Sequence, residues 1–200
     1  MSKESRKFKV PDALADLYDF ANTLDVRHFS HHGVPHQQGD QLGSPRELAA
    51  WMAQRGLLWT NAKITSAMFE TALGLRGSLR DYLQCEPTER SRNRDAVRLL
   101  DGALKLFPLV VEVRDGLTLK AGRDDALSGL SSVVAQLYDG CRDGILDRLK
   151  MCASDECRRV FFYRSKPATR RWCMSSLCGN RVKTRNYRAR QRKINTARRH

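Results

Sequence analysis

The sequence predicts a mainly α-helical protein with one small β-hairpin and a compact cysteine-containing module near its C-terminal end. Apolar residues in the N-terminal part recur at the three- and four-residue spacing of amphipathic helices. Asp115-Gly116 separates two short β-type runs, Leu109 to Val113 and Leu117 to Ala121, and such a dipeptide is a strong hairpin signal. Four of the six cysteines lie within the last 50 residues, which marks this segment as a separate unit.

The beginning of the chain predicts two helices joined by a polar loop. Apolar residues at helical spacing predict the first helix over residues 12–24. The second helix has clear start signals, because Ser44 can cap its N-terminus, Pro45 suits its first turn and Glu47 completes a capping box. Gly56 is expected to end it.

Three longer helices are expected in the rest of this N-terminal domain, which we place at residues 10–148. Their apolar stripes predict boundaries of about 60–85, 90–106 and 124–150, with the hairpin between the last two. The last helix leads directly into the cysteine-containing module, which we place at residues 150–195. Because no low-complexity linker separates the two parts, we expect them to be docked on each other.

Charge is divided very unevenly between the two parts. Residues 1–150 contain 21 Lys/Arg and 20 Asp/Glu, and residues 151–200 contain 15 and 2, so the net charges of +1 and +13 sum to the +14 of the chain. Basicity confined to one end indicates a polyanionic partner for that end.

Nothing in the sequence suggests a membrane or secreted protein. The first ten residues are polar and basic with no apolar run behind them, and no stretch of about 18 apolar residues occurs. We therefore expect a cytoplasmic protein, in which paired cysteines bind metal more often than they form disulfides.

The cysteine spacing predicts a structural metal site. Cys152 and Cys157 form one pair and Cys173 and Cys178 a second, and both pairs have the C-x4-C spacing. Two such pairs complete the tetrahedral shell of a Zn²⁺ ion and leave no open position for catalysis. A module of about 40 residues depends on such an ion, which contributes on the order of 10–16 kcal/mol to folding. Four unrelated cysteines or an iron–sulfur cluster are the alternatives.

The segment between the pairs predicts a short hairpin. Val160 to Tyr163 and Arg170 to Trp172 are expected to be strands around Lys166-Pro167. A hairpin between two cysteine turns, followed by a helix, predicts a treble-clef-like arrangement.

The helix expected after Cys178 is strongly basic. Residues 179–200 contain nine Lys/Arg and no Asp/Glu. If five of these side chains contact phosphates, the logarithm of the binding constant falls with log salt at a slope of about −4.5. The alternative to nucleic-acid binding is a charged tail that is only solvated. The candidate nucleic-acid-binding residues are Arg181, Lys183, Arg185, Arg188, Arg190, Arg192 and Lys193.

These motifs resemble a known pair of domains. Cys152 to Cys157, Arg170 to Met174 and the tetrad Cys178-Gly179-Asn180-Arg181 resemble the CGNR zinc-finger family over about 45 residues. Phe20 to Asp25 and Ser44 to Trp51 resemble the ABATE domain that usually precedes this finger.

The resemblance implies a bacterial, stress-induced transcriptional regulator whose zinc finger binds DNA and whose four cysteines are the zinc ligands. The chain departs from the family between the cysteine pairs. Arg164 and Pro167 stand where the family usually has an acidic residue in the strand and an Asn in the turn. The departure concerns the turn and changes no ligand.

The N-terminal domain offers a second candidate site. Asn22, Asp25 and Arg27 could line a pocket for a small effector, or Asn22 and Asp25 could only stabilise the helix end and the turn after it. A homodimer is expected because one small module reads few base pairs.

We expect DNA-binding transcriptional regulation and no enzymatic activity, because the sequence has no phosphate-binding glycine loop, HExxH motif or nucleophile elbow. One alternative is a ribosome- or tRNA-associated RNA-binding protein, in which Tyr163, Trp172 or Tyr187 stacks on unpaired bases. Another alternative is a metal- or redox-responsive interaction protein that uses its cysteines as the switch.

Overall fold

Seven α-helices and four two-stranded antiparallel sheets form the fold over the residues that the computed structural model describes, which are 3–31, 33–59, 62–113, 116–164 and 169–197. The helices are α1 (Lys3–Lys7), α2 (Ala15–Ala21), α3 (Pro45–Ala53), α4 (Ser66–Gln84), α5 (Arg94–Leu104), α6 (Ser131–Arg142) and α7 (Asn180–Ala197). The strand pairs are β1 (Leu24–Asp25) with β4 (Gly39–Asp40), β2 (Ser30–His31) with β3 (Val34–Pro35), β5 (Leu109–Val113) with β6 (Leu117–Ala121), and β7 (Leu149–Met151) with β8 (Val160–Phe162). The expected mainly helical class is confirmed.

Local signals placed α3 and the β5–β6 hairpin correctly. The Ser44 hydroxyl accepts from the Glu47 backbone N–H at 3.3 Å, which is the predicted N-cap, and it donates to the Glu47 carboxylate at 2.9 Å, so the same two residues close the cap through the hydroxyl and not through the Ser44 backbone N–H. The hairpin pairs Val113 with Leu117 next to the predicted turn, although Asp115 itself lies outside the described residues.

Three predicted helix boundaries are wrong, and in each case a side chain closes the helix earlier or starts it later. The first helix ends at Ala21 because the Thr23 hydroxyl donates to the Phe20 carbonyl at 2.7 Å, after which the chain is extended as β1. α4 starts six residues later than expected, since Thr65 caps it, and Thr60 lies outside the described residues. The helix expected over 90–106 is split, because Asn93 caps α5 after a 3-10 turn.

The helix expected over 124–150 is wrong at both ends. A 3-10 turn precedes α6, and Gly144, with a φ of +68°, follows it. The chain then makes another 3-10 turn, Leu146–Arg148, and becomes strand β7. Leu149 is fully buried in this strand, as it would be on the inner face of a helix. The burial of Leu149 therefore does not distinguish a helix from a strand in this segment.

The main core lies where α2, α3, α4 and α6 meet. α2 packs against both α4 and α6, and α3 and α5 pack against α4. Tyr18, Phe20 and Leu79 are among the fully buried side chains at these contacts. A second, smaller cluster consists of Cys152, Cys157, Phe161, Tyr163 and Cys178. Among the described helices, none has the length and apolar composition required to cross a membrane.

Two glycines give a test of the packing. A Cβ on Gly129 would lie 1.8 Å from the carbonyl oxygen of Leu57, whereas a Cβ on Gly74, within α4, would meet no described atom within 4 Å. We expect Gly129→Ala to lower the free energy of unfolding by about 2–3 kcal/mol. Gly74→Ala should raise it by about 0.5–1 kcal/mol, because alanine favours the helix. Urea denaturation measures both, and equal effects of the two substitutions would contradict the described approach of the backbones.

Candidate metal centre and adjoining basic helix

The first cysteine pair lies in the turn between β7 and β8. The backbone N–H of Cys152 donates to the Arg159 carbonyl at 2.8 Å, and the N–H of Cys157 donates to the Ser154 carbonyl at 2.8 Å. Arg158 then adopts a left-handed conformation with a φ of +46°. This turn directs both sulfur atoms to the same side of the hairpin.

The strand pairing differs from the predicted one. Val160–Phe162 pairs with Leu149–Met151, ahead of the first cysteine, and not with Arg170 to Trp172. The expected pairing is wrong because residues 149–151 form a strand and do not continue the preceding helix. Lys166 and Pro167, which were expected to form the turn, lie outside the described residues.

The second cysteine pair lies where α7 begins. Cys178 belongs to a single π-helical turn, Ser175–Gly179, that leads into α7, and its N–H donates to the Met174 carbonyl at 2.9 Å. The N–H of Ala153 donates to the Arg171 carbonyl at 2.9 Å and thereby ties this segment to the first pair. The N-terminal end of α7 is thus fixed to the β7–β8 turn.

The four predicted ligands come together as a single cluster. Their sulfur atoms all lie within 4.8 Å of one another, with 3.5 Å between Cys157 and Cys173 and 3.7 Å between Cys173 and Cys178. A tetrahedral Zn²⁺ with Zn–S bonds of about 2.3 Å requires S···S separations of about 3.8 Å. All four cysteines are free thiols. The donor set and its spacing therefore fit a metal site that holds zinc.

The sulfur atoms also perturb one another. Hydrogen bonds from Cys157, and then from Cys173 and Cys178, lower the pKa of Cys152 far below its usual range. Contact with Cys152 and Cys157 together with burial raises the pKa of Cys173 and of Cys178. Thiols packed this closely cannot all ionise by themselves, and a divalent cation between them removes that obstacle.

Four arginines of α7 share one face of the helix. Arg181, Arg185, Arg188 and Arg192 follow one another at intervals of four, three and four residues, which is the spacing of a single helix face. All four line an open groove of about 570 Å³ together with Glu156. The exposed side chains of Lys183 and Arg190 fall on the opposite face by the same helical spacing, and the side chain of Lys193 lies outside the described part of the chain.

The first two of these arginines are held by contacts within the protein. The guanidinium group of Arg181 lies 4.0 Å from the centre of the Phe29 ring and donates to the Ser30 carbonyl. Arg185 forms an ion pair with Glu156, which lies in the β7–β8 turn. Over the described residues, no hydrogen bond or ion pair involves the exposed side chains of Arg188 and Arg192. On this arginine face, Arg181 and Arg185 are therefore held by the protein, whereas Arg188 and Arg192, farther along the helix, are free to contact a partner.

Asn22 docks the helical domain onto strand β8. Its amide nitrogen donates to the Val160 carbonyl at 3.0 Å, and its amide oxygen accepts from the Val160 N–H at 3.0 Å. The side chain therefore replaces a neighbouring strand on the free edge of β8. The expected stabilisation of the helix end is not its main contact.

Arg80 makes a second connection between the two parts. Its guanidinium donates to the Ala21 carbonyl at 2.6 Å and to the Arg158 carbonyl at 3.1 Å. Burial lowers the pKa of Arg80 to about 10, so the group remains charged at neutral pH. Sequence reasoning did not identify this residue, because a single arginine in a helix gives no signal that it is buried.

Asp25 and Arg27 lie next to this docking contact. Arg27 and His36 both bind the Asp25 carboxylate, and these hydrogen bonds lower the pKa of Asp25 more than burial raises it. Asn22, Asp25 and Arg27 line a small polar cavity of about 140 Å³ that reaches Cys157. The three predicted effector residues thus lie together, and their polar groups bond to other parts of the chain.

The metal site can be tested with two cysteine variants. Cys178→Ser removes a sulfur ligand that is 1% exposed. The purified variant should contain well under one metal ion per chain, because a three-thiolate shell binds zinc more weakly. Cys141→Ser changes an exposed thiol outside the cluster and should retain the full metal content. Elemental analysis of both proteins measures the result, and full metal retention in Cys178→Ser would contradict the assignment.

The docking contact can be tested at Asn22. Asn22→Ala leaves the N–H and carbonyl of Val160 without their partner and should lower the free energy of unfolding by about 2 kcal/mol. Gln38→Ala removes an exposed amide 3.5 Å from the Val26 carbonyl and serves as the control. Urea denaturation followed by circular dichroism compares the variants. Equal stability of Asn22→Ala and the wild type would show that the contact contributes nothing.

Comparison with known families agrees with this arrangement. The family model of the CGNR zinc finger matches residues 148–191. The family model of the ABATE domain, described as "Putative stress-induced transcription regulator", matches residues 17–140, which is more than half of the chain. No curated protein matches the sequence significantly. The chain belongs to the ABATE family and carries a CGNR zinc finger behind its ABATE domain.

Proposed function

We propose that this protein is a non-enzymatic transcription regulator that binds duplex DNA through the arginine face of α7. The observation that carries the proposal is the position of that face. Arg181, Arg185, Arg188 and Arg192 form one cationic stripe that starts at the last metal ligand, Cys178. A rigid metal site thus fixes the N-terminal end of a helix whose positive charge is suited to binding a phosphate backbone.

The metal in this proposal is a structural Zn²⁺ bound by Cys152, Cys157, Cys173 and Cys178. Four thiolates fill its tetrahedral shell, so no position is open to a substrate. The order of elements supports a treble-clef-like module, because one cysteine pair lies in a hairpin turn and the other lies at the start of a helix. The ion supplies the folding energy that this small module lacks.

The burial of three of the four cysteines supports a structural role over a redox switch, although Cys173 is only half-buried. Cys152, Cys157 and Cys178 are only 3%, 2% and 1% exposed. Oxidants react with thiolates that solvent can reach, and these three are covered by the surrounding chain.

Duplex DNA is favoured over single-stranded RNA because of where the aromatic side chains lie. Tyr163 is 3% exposed and Trp172 is half-buried against Gly179, so less ring surface is open to a base than on an exposed aromatic side chain. Tyr187 is 58% exposed, but it lies on the face of α7 away from the arginine stripe. Stacking on unpaired bases requires exposed rings beside the phosphate-binding groups.

The role of the ABATE domain in this proposal is to hold the finger and to regulate it. Asn22 and Arg80 fix its position relative to β8, and Phe29 contacts Arg181 directly. A small effector bound near Asn22, Asp25 and Arg27 would change the surroundings of these contacts.

Two double variants with equal charge loss test which face binds DNA. Arg188→Ala/Arg192→Ala removes the open half of the arginine face, and Lys183→Ala/Arg190→Ala removes two cations from the opposite face. Fluorescence anisotropy with duplex DNA at several salt concentrations gives log K against log salt. The first variant should reduce the magnitude of the slope by about 1.8 and the second by much less, because each lost phosphate contact changes it by about 0.9.

Several outcomes would contradict the proposal. Equal losses from both double variants would indicate a non-specific charged tail. No binding by the wild type at about 50 mM salt would exclude DNA as the partner. Stronger competition by folded RNA than by duplex DNA at matched salt would favour the RNA-binding alternative.

A further inference from the structure

The β5–β6 hairpin has one face that is entirely apolar. Its register pairs Leu109 with Ala121, Val111 with Leu119 and Val113 with Leu117. Because side chains alternate between the two faces of a strand, these six residues share one face. The opposite face is mixed, with Val110, Glu112, Thr118 and Lys120.

Three of the six side chains on this apolar face are exposed to solvent. Val111 is 67% exposed, Val113 is 79% exposed and Leu117 is 78% exposed. An isolated two-stranded sheet is only marginally stable, and exposed apolar side chains on it gain nothing from the fold as described. A contiguous exposed apolar surface of this kind marks an interaction site.

The apolar face continues into a groove of the helical domain. Leu109, at the base of the hairpin, also lines an apolar groove of about 480 Å³ between α5 and α6. Val97 and Tyr138 line the same groove and are 37% and 54% exposed. The groove and the hairpin face therefore form one continuous apolar surface, here called the hairpin–groove surface.

We propose that a second copy of this chain covers the hairpin–groove surface. In the resulting two-fold dimer, the hairpin of each protomer lies over the groove of its partner. The surface contains both a projecting apolar arm and an apolar recess, which is the self-complementarity that a symmetric dimer requires.

The area is what a stable homodimer needs. Five exposed and several half-buried apolar side chains provide on the order of 400–500 Å² of apolar surface per copy, at about 60–120 Å² for each fully buried side chain. A standard interface buries about 800 Å² per partner, and about 65% of a homodimer interface is apolar. The expected apolar share is therefore about 520 Å², close to what the surface offers.

The charges around the surface also permit contact between two copies. The chain carries a net charge of +14, but +13 of it lies in residues 151–200. Three described cations near the hairpin–groove surface are paired with acidic residues, since Lys105 lies 2.9 Å from Asp101, Lys120 lies 3.6 Å from Glu112 and Arg142 lies 3.3 Å from Asp139. Two strongly basic chains can therefore meet here without repulsion.

The dimer gives the proposed function a second DNA-binding helix, and only this consequence rests on that function. Two arginine faces related by a two-fold axis would contact two half-sites, and their combined affinity would exceed that of one module.

A pair of single substitutions on the two faces of one strand tests the dimer. Sedimentation equilibrium of the 200-residue, metal-containing wild type should give a mass of twice 22.8 kDa. Val111→Glu places a carboxylate in the proposed interface and should weaken dimerisation by at least ~100-fold. Val110→Glu places the same charge on the opposite face of β5 and should leave the dimer intact. Circular dichroism and metal content show whether both variants fold like the wild type.

The outcomes separate this proposal from the proposed function. A monomeric wild type up to about 100 μM would overturn the dimer, as would equal dissociation by Val110→Glu and Val111→Glu, and either result would leave the surface to a different protein. The measurement uses no DNA. A dimer that fails to bind DNA therefore refutes only the proposed function, and a monomer that binds DNA refutes only the dimer.

Discussion

The closeness of four sulfur atoms, three of them on buried cysteines, is the constraint on which the rest of the structure depends. Thiolates within 4.8 Å of one another repel unless a cation lies between them, and the module has a small core with which to oppose that repulsion. A structural zinc ion contributes on the order of 10–16 kcal/mol. A buried side chain such as Phe161 contributes about 3 kcal/mol at most. The proposed ion would therefore decide whether the β7–β8 turn and the N-terminal end of α7 meet, and with that the direction of the basic helix.

The ABATE domain stabilises the same turn from the other side. Arg158 has a left-handed backbone, which costs an ordinary residue about 1–2 kcal/mol. Its carbonyl accepts from Arg80 and its side chain donates to Gln84, so α4 offsets this cost. Asn22 occupies the free edge of β8 in the same region. Residues of both parts of the chain thus stabilise the β7–β8 turn. By linkage, a change in the stability of α4 or of the end of α2 alters the stability of this turn, and the reverse coupling is equally strong.

The features that the sequence predicted well are those that depend on neighbouring residues. The Ser44–Glu47 capping box, the β5–β6 hairpin and the spacing of the cysteine pairs each involve a few adjacent positions. Strand β7 was missed because Leu149 is buried whether the segment is a strand or a helix, and its pairing with β8 depends on residues further along the chain. The contacts of Arg80 and Arg181 could not be predicted either, since each joins segments more than 50 residues apart.

The contacts at the N-terminal end of α7 explain how so basic a helix can be held in a fixed direction while its distal arginines stay exposed. Like charges four residues apart each destabilise a helix by about 0.2–0.5 kcal/mol, and residues 179–200 contain no acidic residue to offset them. Phe29 and Glu156 relieve this repulsion at Arg181 and Arg185, where the helix must be rigid. Farther along, Arg188 and Arg192 keep their mutual repulsion until an anion approaches. A phosphate that binds there also stabilises the helix that presents these arginines. For the proposed DNA partner, order in the distal half of α7 and affinity for phosphates would therefore be coupled, because both depend on the same charges.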